Sequence, residues 1–216
     1  MKKQPGKPGE AWTRAERVVF ARLTDPPAVQ AFLDEVPYSA DPIYRSPRSV
    51  LRDRRAHCVD GALFAAAALR RLGFPPLVME LCAERDDDHV IAVFEKRGRL
   101  GAVAKSNFSG LRFREPVFRT PRELAMSYFE QYYNVDGEKT LRACSSILDL
   151  RKLDSLDWMT RDEGLEAVIA KLEGVRHTPL VSKAMVAALS HVDERSYRAG
   201  MLGASEAGLW KPGKGG

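Results

Sequence analysis

Cys58 and His89 are the two residues of this chain whose types and spacing could do covalent chemistry. A thiolate is a strong nucleophile, and an imidazole that accepts the thiol proton completes the working pair of a cysteine enzyme. Between them lie an Ala-rich stretch, the break Gly73-Phe74-Pro75-Pro76 and the apolar run Leu77-Val78-Met79-Glu80-Leu81. These read as helix, turn and strand. The order thiol, helix, strand, acidic turn, imidazole predicts a sulfur at a helix N-terminus and a ring on a strand beside it. There the macrodipole favours the thiolate, and the first backbone N–H, lacking an intrahelical acceptor, is available to an oxyanion. His89 would take the thiol proton and return it to the leaving group. A third group has to hold its other ring nitrogen.

The elements that must position this pair follow from caps and periodicity. Cys58 to Leu72 is apolar on nearly every side through Ala62, Leu63 and Ala65 to Leu69, so it predicts a buried helix, closed by Arg70-Arg71 and Gly73. Glu84 to Asp88 reads as a charged turn and His89 to Phe94 as a second strand. Lys96-Arg97-Gly98-Arg99 reads as a hairpin turn and Leu100 to Lys105 as a third strand. Upstream, Asp25-Pro26-Pro27 caps a helix carrying Val29, Phe32, Leu33 and Val36, and Ser46-Pro47 opens a short basic helix through Arg55. Downstream, Thr120-Pro121-Arg122-Glu123 and Thr160-Arg161-Asp162-Glu163 read as capping boxes. Ala125, Tyr128, Phe129 and Tyr132 form the inward stripe behind the first. Leu165, Val168, Ile169 and Leu172 form the one behind the second, ended by Gly174. Asp149 to Asp157 reads as a loop and Leu180 to Leu189 as a last helix. The expected class is α+β: helices, a small antiparallel sheet, then further helices.

A chain of 216 residues with 44% apolar content suits one domain. The expected layout is a disordered N-terminal arm over 1–12, a single domain over 13–205 and a flexible tail over 206–216. The arm has no apolar h-region, and no run is long enough to span a bilayer, so the expected location is the cytoplasm, without a membrane partner. Lys and Arg exceed Asp and Glu by 34 to 29, a net charge of +5. The cluster Arg45, Arg48, Arg52, Arg54, Arg55 could meet phosphates, but it reads better as a solvated helix face, so nucleic acid is not the expected partner. Three cysteines without a CxxC spacing argue against a disulfide framework and a structural zinc. Asp86-Asp87-Asp88 reads as a solvated turn rather than a cation site, and no metal or cofactor is expected. His57 reads as a capping or packing group, Cys82 and Cys144 as core filler, His177 and His191 as surface residues. Arg112 and Arg114 read as the exposed face of a strand.

His57-Cys58-Val59-Asp60-Gly61-Ala62, the Ala-rich helix, Leu72-Gly73-Phe74-Pro75-Pro76, the strand and Asp88-His89 resemble the core of the transglutaminase-like superfamily. The resemblance covers about Arg54 to Asn107, and the segment Leu111 to Leu150 looks like part of uncharacterised bacterial relatives. It implies a papain-like core, with the buried Cys-bearing helix packed on a small antiparallel sheet. It also implies a Cys–His–Asp triad in which Cys58 is the nucleophile and His89 the base. Asp60 matches an acidic position that is usually structural. Two positions depart from the pattern. His89-Val90-Ile91 lacks the frequent aromatic, and the stretch that usually holds the third member is Ala104-Lys105-Ser106-Asn107, without a carboxylate. Asn107 is the expected third member, since its amide oxygen can accept the imidazole N–H, and Ser106 is its rival. The implied activity is a cysteine hydrolase or acyl transferase that acts on an amide or ester of a peptide or small molecule through a thioester. The alternative is a non-catalytic binding module on the same scaffold.

Overall fold

The computed structural model describes residues 12–211. Helices α1 (Arg14–Arg22), α2 (Pro26–Glu35), α3 (Pro47–Asp53) and α4 (Cys58–Arg71) come first. Strands β1 (Leu77–Ala83), β2 (His89–Lys96), β3 (Arg99–Val103) and β4 (Arg114–Phe118) follow, then α5 (Pro121–Met126). The second half adds β5 (Leu141–Ser145), β6 (Leu148–Asp149), α6 (Leu165–Glu173), β7 (His177–Pro179), α7 (Lys183–Ala187) and α8 (Glu194–Gly200). The architecture is α+β. The sheet runs β4-β3-β2-β1-β5-β7, every pairing is antiparallel, and β6 joins β1 on the side that β5 also uses.

Strand alternation divides the core in two. Val78, Val90, Ala92, Phe94 and Val103 face one way, onto the alanines of α4 and onto Trp158, Leu165, Val168 and Leu172. Met79, Leu81, Ile91, Val93, Ala102 and Ala104 face the other way, onto Leu124, Ala125, Tyr128 and Tyr132. The alanines let α4 lie close to the sheet. At Gly61 the approach is closer still, because a Cβ there would stand 2.2 Å from the Cβ of Lys105.

Several local expectations fail for identifiable reasons. The carboxylate of Asp162 does not cap its own helix. It takes the Ser46 N–H and the Ser49 hydroxyl, each at 2.8 Å, and so secures the start of α3, while α6 begins after Gly164 with no side-chain cap. The stretch expected as a loop winds into a 3-10 helix, Leu150–Leu156, because Leu150 is buried and Arg70 pairs with Asp154 at 2.6 Å. Leu180 belongs to the sheet's core and donates its N–H to Arg142, which leaves only α7 of the expected last helix. The Tyr128–Tyr132 stripe is buried as expected, but α5 stops at Met126 and a 3-10 turn, Phe129–Gln131, carries the rest.

The basic cluster is divided: Arg52, Arg54 and Arg55 are exposed, as a solvated face requires, whereas Arg45 and Arg48 are drawn inward into ion pairs. Arg45 is only 5% exposed and lies among Asp41, Asp53 and Asp60. Arg48 pairs with Glu16 at 2.8 Å and Arg52 with Asp53 at 2.6 Å. Arg114 is half-buried, its guanidinium 3.8 Å over the Tyr128 ring. Residues 1–11 of the arm expected over 1–12, and residues 212–216 of the expected tail, lie outside the described residues. Trp12 is buried against Phe20, and Glu206–Gly208 forms a 3-10 turn rather than a loose tail. Among the described residues, no helix is long and apolar enough to cross a membrane.

Candidate functional site

Cys58 is the first residue of α4. His57 is its N-cap: ring Nδ1 accepts the Val59 N–H at 3.2 Å, and Asp60 reaches back to the His57 N–H at 3.1 Å. With Nδ1 accepting, Nε2 of His57 carries the proton and donates to the Ile43 carbonyl at 3.1 Å. His57 is therefore committed to the cap. Asp60 is fully buried and also accepts the Arg45 N–H at 2.7 Å, which ties the helix start to the segment before α3.

Cys58 is half-buried, and its Sγ lies 3.7 Å from the Asp88 carbonyl, one residue before β2. Burial is the main influence on this thiol and pushes its pKa up to about 12. The Asp60 and Asp87 charges push the same way, and the Val90 and Val59 amides oppose. In this conformation the sulfur is protonated at neutral pH.

His89 opens β2, paired with Leu81. It is 4% exposed, with its ring edge-on to Tyr128 and Tyr132. Alternation turns that ring toward the tyrosine side of the sheet, whereas Cys58 meets the strand from the α4 side. At the end of the sheet both residues line one cavity of about 40 Å3, room for at least one water. Nε2 of His89 lies 2.9 Å from the Leu111 carbonyl. A carbonyl accepts only, so Nε2 bears the proton and Nδ1 is the basic atom. Burial pulls the His89 pKa down to about 4, so the ring is neutral at pH 7.

The group that holds the His89 ring is the backbone oxygen of Leu111, and Asn107, expected in that place, bonds elsewhere. Both polar atoms of the Asn107 amide are spent on Ser205: Nδ2 donates to its carbonyl at 2.9 Å, and Oδ1 accepts its N–H at 2.8 Å. Ser106, the rival, accepts the Phe108 N–H at 3.0 Å. A backbone acceptor has no side-chain signature, so residue types did not point to Leu111.

Cys58 also walls a larger groove of about 430 Å3. One side of it is sheet and acidic turn, with Glu80, Asp87, Asp88 and Val90. Tyr38, Asp41, Tyr44 and Glu173 line it as well. The segment Ala207–Lys211, a C-terminal strap, also lines the groove, and Gly208 and Trp210 line the inner cavity as well. Gly208 is required there, because a Cβ would stand 2.6 Å from the Tyr38 ring. The preceding helix α8 is held by Ser109, which donates to the Ala199 carbonyl at 2.7 Å, and by Tyr133, which donates to the Ser196 carbonyl at 2.9 Å.

In the same groove wall Glu80 is 7% exposed and holds Nε2 of His177 at 2.9 Å. Cys82 lies beside it, Sγ 3.9 Å from the Glu80 carboxylate. Residue types alone mark His177 as a surface residue and Cys82 as core filler. Their meeting depends on β5 lying between β1 and β7, which no local pattern announces. The chain matches no protein-family model, and no curated protein matches it.

Proposed function

We propose that this protein is a cysteine-nucleophile hydrolase or acyl transferase with a transglutaminase-like, papain-like core. The observation that carries the reading is the position of Cys58. It is the first residue of a buried 14-residue helix and the wall shared by the open groove and the inner cavity that holds His89. The groove is large enough for part of a peptide or for a small amide or ester. Asp87, Asp88 and Glu173 on its walls favour a substrate that carries an amine.

The chemistry proceeds as follows. Nδ1 of His89 takes the thiol proton, directly or through a water in the inner cavity. Sγ attacks the carbonyl carbon, and the oxyanion is met by the free N–H at the start of α4. The intermediate collapses to a thioester as the imidazolium returns its proton to the departing amine or alcohol. Water then gives a hydrolase, and an amine gives an acyl transferase.

A second reading, a binding module without catalysis, draws on the resting protonation states: a thiol pushed up to about 12 and an imidazole pulled down to about 4 do not form an ion pair. An activated acyl ester separates the two. Intact mass and peptide mapping are expected to place one acyl group on Cys58 and to lose it in the Cys58→Ser and His89→Ala variants. Acylation spread evenly over Cys58, Cys82 and Cys144, and unchanged in His89→Ala, leaves the binding module standing.

A further inference from the structure

We infer that Glu80, Cys82 and His177 form a binding site for a divalent cation of the zinc type. The site is independent of the acyl-transfer reading, because neither Cys58 nor His89 takes part. Glu80 and Cys82 are two apart on β1 and share one face. His177 is brought to them by the register of the sheet. The Glu80 N–H bonds Oγ of Ser145 at 2.9 Å, and Ser145 pairs directly with His177. One row across three strands therefore carries the carboxylate and the imidazole, and the thiol stands one step along β1.

One donor atom from each residue lies within 4.8 Å of the others. Zinc bonds of about 2.0–2.3 Å in a tetrahedron set neighbouring ligands roughly 3.3–3.8 Å apart. The present spacings, 2.9 Å for Glu80 to His177 and 3.9 Å for Cys82 to Glu80, fall on either side of that range. Small side-chain rotations close the set. A thiolate, an imidazole and a carboxylate together suit zinc and cobalt rather than calcium or magnesium, which prefer oxygen. Three protein ligands leave a fourth position for water or a groove ligand. Cys82 and His177 are half-exposed, which leaves an entry path, while the buried Glu80 gains a full cationic partner.

The test uses the full chain without a purification tag, reduced and freed of metal by a chelator that is then removed. Titration with cobalt is expected to give one equivalent bound, with a thiolate-to-cobalt charge-transfer absorption that zinc abolishes by displacement. Cys82→Ser is expected to remove that absorption, and Glu80→Gln to weaken binding at least tenfold. Cys58→Ser and Cys144→Ser are expected to keep both. Zinc is also expected to raise the melting temperature of the wild type and not of His177→Asn, a readout that holds if Cys82→Ser fails to fold. Absence of stoichiometric binding overturns the proposal. So does an absorption that survives Cys82→Ser or disappears in Cys58→Ser.

Discussion

Asn107 grips Ser205 with both ends of its amide, donating to the backbone carbonyl at 2.9 Å and accepting the backbone N–H at 2.8 Å. Asn107 follows the end of β3, and Ser205 lies just before the strap that lines the Cys58 groove. The side chain whose residue type suits holding an imidazole holds the start of this C-terminal segment instead. Each of these neutral hydrogen bonds is worth about 1 kcal/mol. Asn107→Ala is therefore expected to favour the open strap by about 2 kcal/mol, a factor of roughly 30 in the open population. Iodoacetamide should label Cys58 faster in that variant by up to the same factor, with Cys82 as the internal reference. A Cys58 rate that does not move would mean that the strap does not control access.

His89 makes a prediction about acid stability. Its pKa falls from 6.5 in the unfolded chain to about 4 in the fold, through burial first, with the nearby Arg114 adding to it. The folded ring resists protonation, so below pH 6.5 the unfolded chain binds the extra proton. The stability that the neutral ring contributes is present above pH 6.5 and is lost as pH falls to about 4, about 3 kcal/mol in all. Asp86, which burial raises to about 6, works in the opposite sense over an overlapping window. The wild-type curve alone would hide the effect. The comparison with His89→Gln isolates it: the stability gap between the two proteins should shift against the wild type as pH falls through the window. A gap independent of pH would contradict the buried neutral ring.

Asp60 tests the helix start. Its carboxylate, buried and raised in pKa by that burial, accepts two backbone N–H groups and lies 3.7 Å from the buried Arg45 guanidinium. Removing the carboxylate leaves those two N–H groups without their acceptor, at a cost of about 1–3 kcal/mol each, while Arg45 keeps Asp41 and Asp53. Asp60→Ala should lower the melting temperature by on the order of 10 °C. Asp60→Asn, which keeps one acceptor oxygen, should lose less. Equal small losses in both would show that these two N–H bonds contribute little.

Much of what surrounds Cys58 could be read from local pattern, because caps and periodicity are local signals. Asp25-Pro26, Ser46-Pro47 and Thr120-Pro121 each open a helix where the residue types say so. The β1–β2–β3 meander follows the apolar runs and the turn at Arg97-Gly98. What escaped is non-local. Asp162 looks like a cap for its own helix and serves α3 instead. Leu111 holds His89 through a backbone oxygen that any residue would supply. Glu80 and His177 meet only because β5 separates their strands. β7, only three residues long, has no periodicity to detect. Ser205 carries no mark that it would be gripped from Asn107.

Gly61 is where the backbone of the Cys58 helix meets Lys105, and it makes the last prediction. A methyl group there would stand 2.2 Å from the Lys105 Cβ and 3.3 Å from its Cα. Lys105 has nowhere to go. Its ammonium is buried and donates to the Leu33 carbonyl at 2.9 Å and to the Val36 carbonyl, so it closes the C-terminal end of α2. Gly61→Ala has to push α4 away from the end of β3. Overpacking of this kind costs about 1–3 kcal/mol, and the upper end applies because the shift involves backbone. Gly73→Ala is the informative contrast. That position has φ of +91°, yet its Cβ would meet nothing within 4 Å, so its cost is conformational, about 1 kcal/mol, and stays local. Gly61→Ala should both lower the melting temperature and change the labelling rate of Cys58, three residues away on the same first turn. Gly73→Ala should lower the melting temperature alone. If both substitutions leave Cys58 labelling untouched, the contact with Lys105 does not set the position of the sulfur.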